Sequence, residues 1–327
     1  MSILWCGGED IDFPNGAAPT SYAGAYRSNY ARVAMQPPSG SAVFVKSTVF
    51  PGGEATSAWF SFRAYRGSPS TNAGWWGLGK SGTSKGIFVG NGSSQGKLAI
   101  LKYDGSSWSV LAQEDGASMP YMSLQKIDLE IVSYGGSSTI RLYYNGSLLV
   151  TFNGDSSISG VSGFDSVFGY RHTTGGDDYC IGSEFIVADE DTRSMSLCTM
   201  YPNAAGDANA WNGTYADIDE AAAADSDNMN VNSNGQAFQV NLTTIPSGNF
   251  SIPHMKISAR AARASSATPT KLKMGVKHSG TINLDAGSSV ASNWTTYERH
   301  MPLNPVTSAA WLDSQMAALQ LAMESAA

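Results

Sequence analysis

The stretch "SLQKIDLEIVSYGGSSTIRLYYNGSLLVTFNG", residues 123–154, decides how the first half of this chain is read. In "KIDLEIV", Ile127, Leu129 and Ile131 alternate with Lys126, Asp128 and Glu130. Successive side chains of a strand point to opposite faces, so this alternation predicts one buried and one wet face. Asn145-Gly146 marks a hairpin tip, because both residues accept positive φ cheaply. A two-residue loop there would set Leu142 against Leu149 and Ile140 against Thr151, mixing polar and apolar residues on both faces. A three-residue loop gathers Ile140, Leu142, Leu148, Val150 and Phe152, so the need for a buried face favours it. The expected product is a one-sided sheet that shows Lys126, Asp128, Glu130, Arg141 and Thr151 to solvent.

Working outward, strand-like segments recur between turn signals: "AVFVKSTVF" (42–50), "SAWFSFRAY" (57–65), "GWWGLG" (74–79), "GIFVG" (86–90), "KLAILKY" (97–103), "SWSVLA" (107–112), "SVFGYR" (166–171) and "EFIVAD" (184–189). No helical periodicity of useful length precedes about residue 215. Many short strands at this spacing predict an all-β sandwich or jelly roll. Near residue 195 the texture changes: strands thin out and acidic residues cluster, which places a domain boundary there (1–195 and 196–327). Beyond it, "QAFQVNL" (236–242), "HMKISARAA" (254–262), "TKLKMGVKHSG" (270–280) and "WTTYERHM" (294–301) predict a smaller β-domain. In the final "TSAAWLDSQMAALQLAMESAA" (307–327), Leu312, Met316, Leu319 and Met323 have helical spacing behind a possible Thr307 or Ser308 cap. The favoured alternative is a short helix near Ala309–Ser314 and a last strand, Ala318–Met323, closing a sheet edge.

Bulk properties narrow the function classes. The 327 residues suffice for two cores, and 14% charged residues with 35 glycines suit short strands and turns. A net charge of −7 leaves no basic stripe for a nucleic-acid backbone. Cys6, Cys180 and Cys198 form no CxxC pair and read as buried apolar thiols. "MSILWCGGED" lacks a basic leader and no run approaches the length of a membrane span, so folding in a reducing cytoplasm is expected, with no membrane insertion. Sequons such as Asn145-Gly146-Ser147 then read as turns.

Few residue patterns carry chemistry. "GGEDIDF" (7–13) offers Glu9, Asp10 and Asp12 but reads as a turn leading into the first strand. "YRHTTGGDDYC" (170–180) holds Arg171, His172, Asp177, Asp178 and Cys180 without a recognised metal spacing, and the acidic 215–227 segment lacks that of a calcium loop. "GLGKSG" (77–82) reads as a turn rather than a phosphate loop. His172, His254, His278 and His300 are scattered, with no catalytic partner in sequence. The binding candidates are Trp75, Trp76, Tyr103, Trp108, Tyr121, Tyr170 and His172, at strand ends or turns where exposed rings stack on sugars or dock a partner. Trp108, beside a Gly-Ser turn, is the best single candidate. No cofactor is expected.

Residues 40–190, above all the quoted ribbon, resemble the concanavalin A-like/laminin-G superfamily of jelly-roll sandwiches. Its glycosidases carry a Glu-x-Asp-x-Glu strand; laid onto this chain, the last two positions fall on Asp128 and Glu130 and the first on Lys126. Lysine cannot serve as the first carboxylate, so the resemblance implies fold without that catalysis. "ILWCGGEDIDF" and the later "YADIDE", "VNSNGQAFQV", "RAAR", "MGVKHSG" and "NPVTSAAW" resemble tailed-bacteriophage virion proteins that pair a lectin-like domain with a second β-domain. This implies a non-enzymatic tail-tip or fibre component in the virion. Its partners would be other virion proteins and a host-surface glycan or protein, in a homo-oligomer with a trimer favoured, where repeated weak contacts sum to useful avidity. A head-decoration protein and a polysaccharide depolymerase are the alternatives.

Overall fold

The computed structural model describes residues 2–14, 18–20, 22, 24–38, 44–66, 73–93, 97–171, 180–264 and 268–327. The chain divides into two compact units, Met1–Leu197 and Cys198–Ala327. Among the described residues the first unit is built of strands β1 (Ile3–Gly7), β2 (Ala18–Thr20), β3 (Ala34–Gln36), β4 (Phe44–Lys46), β5 (Ala58–Arg66), β6 (Ala73–Gly79), β7 (Gly86–Asn91), β8 (Lys97–Tyr103), β9 (Trp108–Ser118), β10 (Leu124–Ser133), β11 (Ser138–Tyr144), β12 (Ser147–Gly154), β13 (Ser166–Tyr170) and β14 (Cys180–Ala188). One sheet runs β12-β11-β10-β5-β14-β3-β2, with β1 added to β14; the other runs β4-β13-β6-β7-β8-β9. β5 and β14 pair in the first sheet while β13 pairs with β4 and β6 in the second, so the chain crosses repeatedly between two antiparallel layers as a jelly-roll sandwich.

The layers meet over Phe60, Phe62, Leu129 and Phe185 from the first sheet and Trp76, Leu78, Ile87, Val89 and Ile100 from the second, all fully buried. Each such side chain contributes about 1.5–3 kcal/mol. The Trp76 ring lies 4.5 Å from Phe185, and its indole donates to the Cys180 carbonyl at 3.0 Å. A Cβ on Gly182 would stand 2.7 Å from the Trp76 nitrogen and one on Gly169 2.5 Å from its ring, so only glycine leaves the space this tryptophan fills. "GGEDIDF" follows β1 rather than leading into it, as a 3-10 turn at Asp10–Asp12.

The hairpin reaches the expected apolar face by a different route. Tyr144 pairs with Ser147 and Tyr143 with Leu148, which closes a two-residue loop. Its residues Asn145 and Gly146 have φ of 48° and 83°, the two positive angles of a type I′ turn. A bulge then shifts the register, so Leu142 meets Val150 and Ile140 meets Phe152. The parity change supplied by the bulge replaces the three-residue loop. It also leaves Leu148 on the outer face, 55% exposed, rather than with the apolar set.

The second unit contains β15 (Pro202–Asn209), β16 (Ala237–Leu242), β17 (Ser251–Ile252), β18 (Met255–Ala261), β19 (Lys271–His278), β20 (Thr281–Leu284), β21 (Ser288–Ser289), β22 (Thr295–Met301), β23 (Trp311–Leu312) and β24 (Gln320–Ala326). The main sheet runs β15-β16-β24-β19-β20, with β21 on β19; β17 pairs with β23 and β18 with β22. Met274, Val276, Met301, Trp311, Met316 and Leu319 form its core, and the Trp311 indole donates to the Met301 carbonyl. A 3-10 turn, Asp313–Ala318, stands in place of the short helix expected at 309–314. The strand after it lies between β16 and β19 and is hydrogen-bonded on both sides, so it fills the middle of the sheet instead of closing an edge.

Candidate functional site

The outer face of the second sheet carries rings where a solvated sheet would carry polar side chains. Phe44, Phe88, Phe168 and Tyr170 are buried together there, with Tyr103 and Trp108 half-buried against them. Phe88, Phe168 and Tyr103 lie on the strand parity opposite to Trp76, Leu78 and Val89, which fill the sandwich interior. The floor beneath the rings is glycine. A Cβ on Gly79 would sit 2.4 Å from the Phe168 ring, and one on Gly74 would sit 2.3 Å from the Trp108 indole. Gly74 is on β6 and Trp108 on β9, three strands away, or about 14 Å across a flat sheet. An indole cannot bridge that distance, so the sheet must curl towards this face and form a cup.

Tyr103 and Trp108 form the open edge of the cup. They are cross-strand partners at the β8–β9 tip, with ring centroids 4.7 Å apart. The Asp104 carboxylate fixes that tip by accepting from the Ser106 and Ser107 backbone amides at 2.8 and 2.9 Å and from both hydroxyls. These donors, the Ser107 and Ser106 amides foremost, hold the Asp104 carboxyl well below the usual range. Trp108 also packs 5.1 Å from Tyr170 and 5.0 Å from Phe88, while Phe44 lies 4.8 Å from Tyr170. Burial, then Tyr170 and Asp104, pushes the Tyr103 phenol up, which keeps it protonated and able to donate. Among the described residues, none hydrogen-bonds the Tyr103 hydroxyl, the Tyr170 hydroxyl or the Trp108 indole nitrogen. Three polar groups therefore stand on an aromatic surface with their hydrogen-bonding capacity unspent.

The cup brings together Tyr103, Trp108 and Tyr170 of the sequence candidates. Trp76 is core, and Trp75 is buried at an irregularity of β6 between Gly74 and Trp76; neither ring is available to a ligand. Trp76 is drawn in because Gly169 and Gly182 leave room for its ring. Tyr121 is 51% exposed but stands apart from the cup, beneath the Arg66 guanidinium. His172, with Asp177 and Asp178, lies outside the described residues. Phe44, Phe88 and Phe168 were missed because a Phe in a strand reads as core. The usable signal was the glycine alternation of "GWWGLG", which strips side chains from one face.

The acidic pair proves to be covered rather than wet. Ile127, Leu129 and Ile131 are buried as alternation requires, but Asp128 is 0% and Lys126 only 7% exposed. The chain after β14 crosses their face. Lys126 Nζ donates to the carbonyls of Thr192, Arg193 and Met195 at 2.8, 2.9 and 2.6 Å, and the Thr192 hydroxyl donates to Asp128 at 2.9 Å. Burial pushes the Asp128 carboxyl up and the Lys126 ammonium down. Arg193 caps the strap, its guanidinium 4.7 Å from the Tyr143 ring and 5.5 Å from Trp59. Glu130 is held by Arg141 at 3.0 Å and the Tyr143 hydroxyl at 2.9 Å. Alternation sorted these residues correctly by side; it could not show that a later segment would roof them.

Other polar clusters are local. Glu184, in a positive-φ position at 54° within a break of the β5–β14 register, accepts from Arg27 at 2.9 Å. Glu9 is buried beside Arg32 at 3.0 Å, and burial, opposed by Arg32, pushes its carboxyl up to about 7. Two of the scattered histidines meet: His254 Nε2 lies 3.0 Å from His300 Nδ1, with Glu298 3.4 Å further on. β18 and β22 pair and bring them together, which sequence distance concealed. In the acidic 215–227 segment, Asp225 pairs with Arg260. Cys6 and Cys180 are buried as expected, while Cys198 is half-buried. Among the described residues, no three His, Cys, Asp or Glu side chains are arranged to hold a metal ion, and no helix is long and apolar enough to cross a membrane.

No family model matches the chain, and no curated protein matches it. Among solved structures it is similar to the carbohydrate-binding module CBM66 from Bacillus subtilis, with a TM-score of 0.35 and 11% identity over 53% of this chain and 91% of that one. It is similar to domain 4 of AbnA, an extracellular arabinanase from Geobacillus stearothermophilus solved with arabinotriose, at TM-score 0.36, 14% identity and coverage of 56% and 80%. An endo-β-1,4-glucuronan lyase from the fungus Trichoderma reesei gives 0.37, 10%, 58% and 96%. At these scores the overlaps say nothing of this chain's ligand or activity.

Proposed function

We propose that the first unit is a lectin-like module that takes a sugar ring on the Tyr103–Trp108 edge of the cup, without catalysing its cleavage. The observation that carries this reading is the combination of a half-exposed aromatic edge with three unspent donor groups, the Tyr103 and Tyr170 hydroxyls and the Trp108 indole. Sugars present C–H faces that stack on rings and hydroxyls that meet such donors. A purely apolar partner would leave those donors buried and unpaired, at about 1–3 kcal/mol each. The non-enzymatic part is supported by the roof over Asp128 and by the occupation of Glu130. We further propose, from the sequence resemblance, that the protein is a tail-tip or fibre component of a tailed-phage virion. In this reading the second unit anchors it among other virion proteins, and a homo-oligomer, a trimer favoured, multiplies weak sugar contacts.

A glycan array probed with the wild-type chain and with Trp108→Ala tests the module reading. Wild type should bind a set of glycans, and the variant should lose that signal at least tenfold while still unfolding cooperatively, its transition lowered only by the lost contacts with Tyr103, Tyr170 and Phe88. Equal binding by both would end the reading. Electron microscopy of particles labelled against this chain tests the virion reading by location and copy number.

A further inference from the structure

Among the described residues, the cup has one ammonium on its face, and no counter-ion pairs with it. Lys46 on β4 is opposite Phe168 in register, so its side chain leaves on the aromatic side of the sheet. Its ammonium lies 5.1 Å from the Phe168 ring centroid and donates to the Thr83 carbonyl at 2.5 Å. Burial holds it below the usual lysine range. Among the described residues no carboxylate lies within ion-pair distance of Lys46.

Among the described residues, the carboxylates bonded to the 80–83 turn and to the cup's tip are committed elsewhere. Asp165 accepts from Lys80 at 2.8 Å and from the Ser81 amide at 2.6 Å. Glu54 takes Lys80 and the Ser162 hydroxyl, and Asp104 is saturated by its own turn. A partly desolvated cation with a single neutral acceptor is an incomplete arrangement, because charges removed from water are normally paired. What completes it must bring a negative charge to an aromatic face and still satisfy the open hydroxyls of Tyr103 and Tyr170.

Resting on the sugar-binding reading above, we infer that the cup selects acidic glycans, with Lys46 receiving the anionic group of a sugar whose ring stacks on the Tyr103–Trp108 edge. Lys46 is thus a specificity determinant, and the rings supply affinity that neutral sugars share. Charge-assisted hydrogen bonds exceed neutral ones, so removing the ammonium should cost about tenfold or more in affinity for an acidic glycan and little for a neutral one.

The test is a printed array holding neutral, uronate-bearing, sialylated and sulfated glycans, probed with full-length wild type, Lys46→Gln, Lys46→Arg and Trp108→Ala. The best hits are then titrated by calorimetry at low and high salt. The expected result is wild-type preference for acidic glycans that weakens with salt. Lys46→Gln should lose about tenfold or more, Lys46→Arg should stay within a few-fold of wild type, and the thermal transition should not move. The carboxylate and sulfate arms tell which anion is preferred. If the hits are neutral, or acidic binding ignores Lys46→Gln, the inference falls, and the sugar-binding reading survives provided Trp108→Ala abolishes them. If wild type binds nothing, or its hits ignore Trp108→Ala, both fall together.

Discussion

Replacing Lys126 by methionine tests whether the strap at 189–195 is held by one buried cation. Methionine keeps much of the stem's volume and removes the ammonium. In the wild type that ammonium serves three carbonyls at 2.6–2.9 Å and stands 3.9 Å from Asp128, itself wholly buried. Breaking a buried charge pair from one side costs about 3–5 kcal/mol, because the remaining charge keeps its desolvation cost. The three carbonyl bonds overlap with that figure rather than adding to it, since one group makes them all. With a urea slope of about 2 kcal/mol per molar, the midpoint should fall by roughly 2 M. Urea unfolding followed by fluorescence reads the shift, because Trp59 lies under Arg193 on the strap. Hydrogen exchange of the 189–197 peptide reads strap release directly. The double variant Lys126→Met/Asp128→Leu should recover most of the loss, since no lone charge remains. A midpoint within a few tenths molar of wild type, with the peptide equally protected, would show that the buried cation does not hold the strap.

Three further outcomes are expected. The Glu9 carboxyl titrates near 7 when folded against 4.5 ordinarily, so between those values the folded chain holds the extra proton and stability falls as pH rises. That gap corresponds to about 3 kcal/mol, and Glu9→Gln should flatten the dependence in urea midpoints taken from pH 4.5 to 8. His254 behaves oppositely: burial, then His300 and Lys256, lowers it from 6.5 to about 4, so the second unit's stability should fall as pH drops from 6.5 to 4. His254→Phe should abolish that slope in the second unit's hydrogen exchange. Gly74→Ala would put a methyl within 2.4 Å of the Trp108 ring and 2.9 Å of Phe88. It should cost about 1–3 kcal/mol in thermal stability and release Trp108 into solvent, seen as a red-shifted indole emission.

Much of the sandwich could be read from local pattern. "KLAILKY" became β8 residue for residue, and the 127–131 alternation put three apolar side chains in the core. The misses at the Asp128 face and in the second unit's sheet depend on what arrives from elsewhere along the chain. Asp128 and Lys126 sit on the predicted side but are covered by residues some sixty positions later. β15 was unseen because "PNAAGDAN" lacks apolar alternation; among the described residues it is a pairing-driven edge strand whose backbone ladder is with β16 and has two register breaks. The site was half legible. Trp108 and Tyr103 could be found as rings beside a Gly-Ser turn, whereas the cup beneath them required sheet curvature, which periodicity does not encode. The His254–His300 contact likewise joins residues 46 apart through a strand pairing.

The decisive contact is that of sugar with the Tyr103–Trp108 edge. Nuclear magnetic resonance resolves that directly, because the chain has eight tryptophans and each indole N–H gives its own signal. Titration with the best array hit should move the Trp108 signal strongly while buried Trp76 and Trp311 stay in place. Saturable binding that leaves Trp108 unmoved would contradict it.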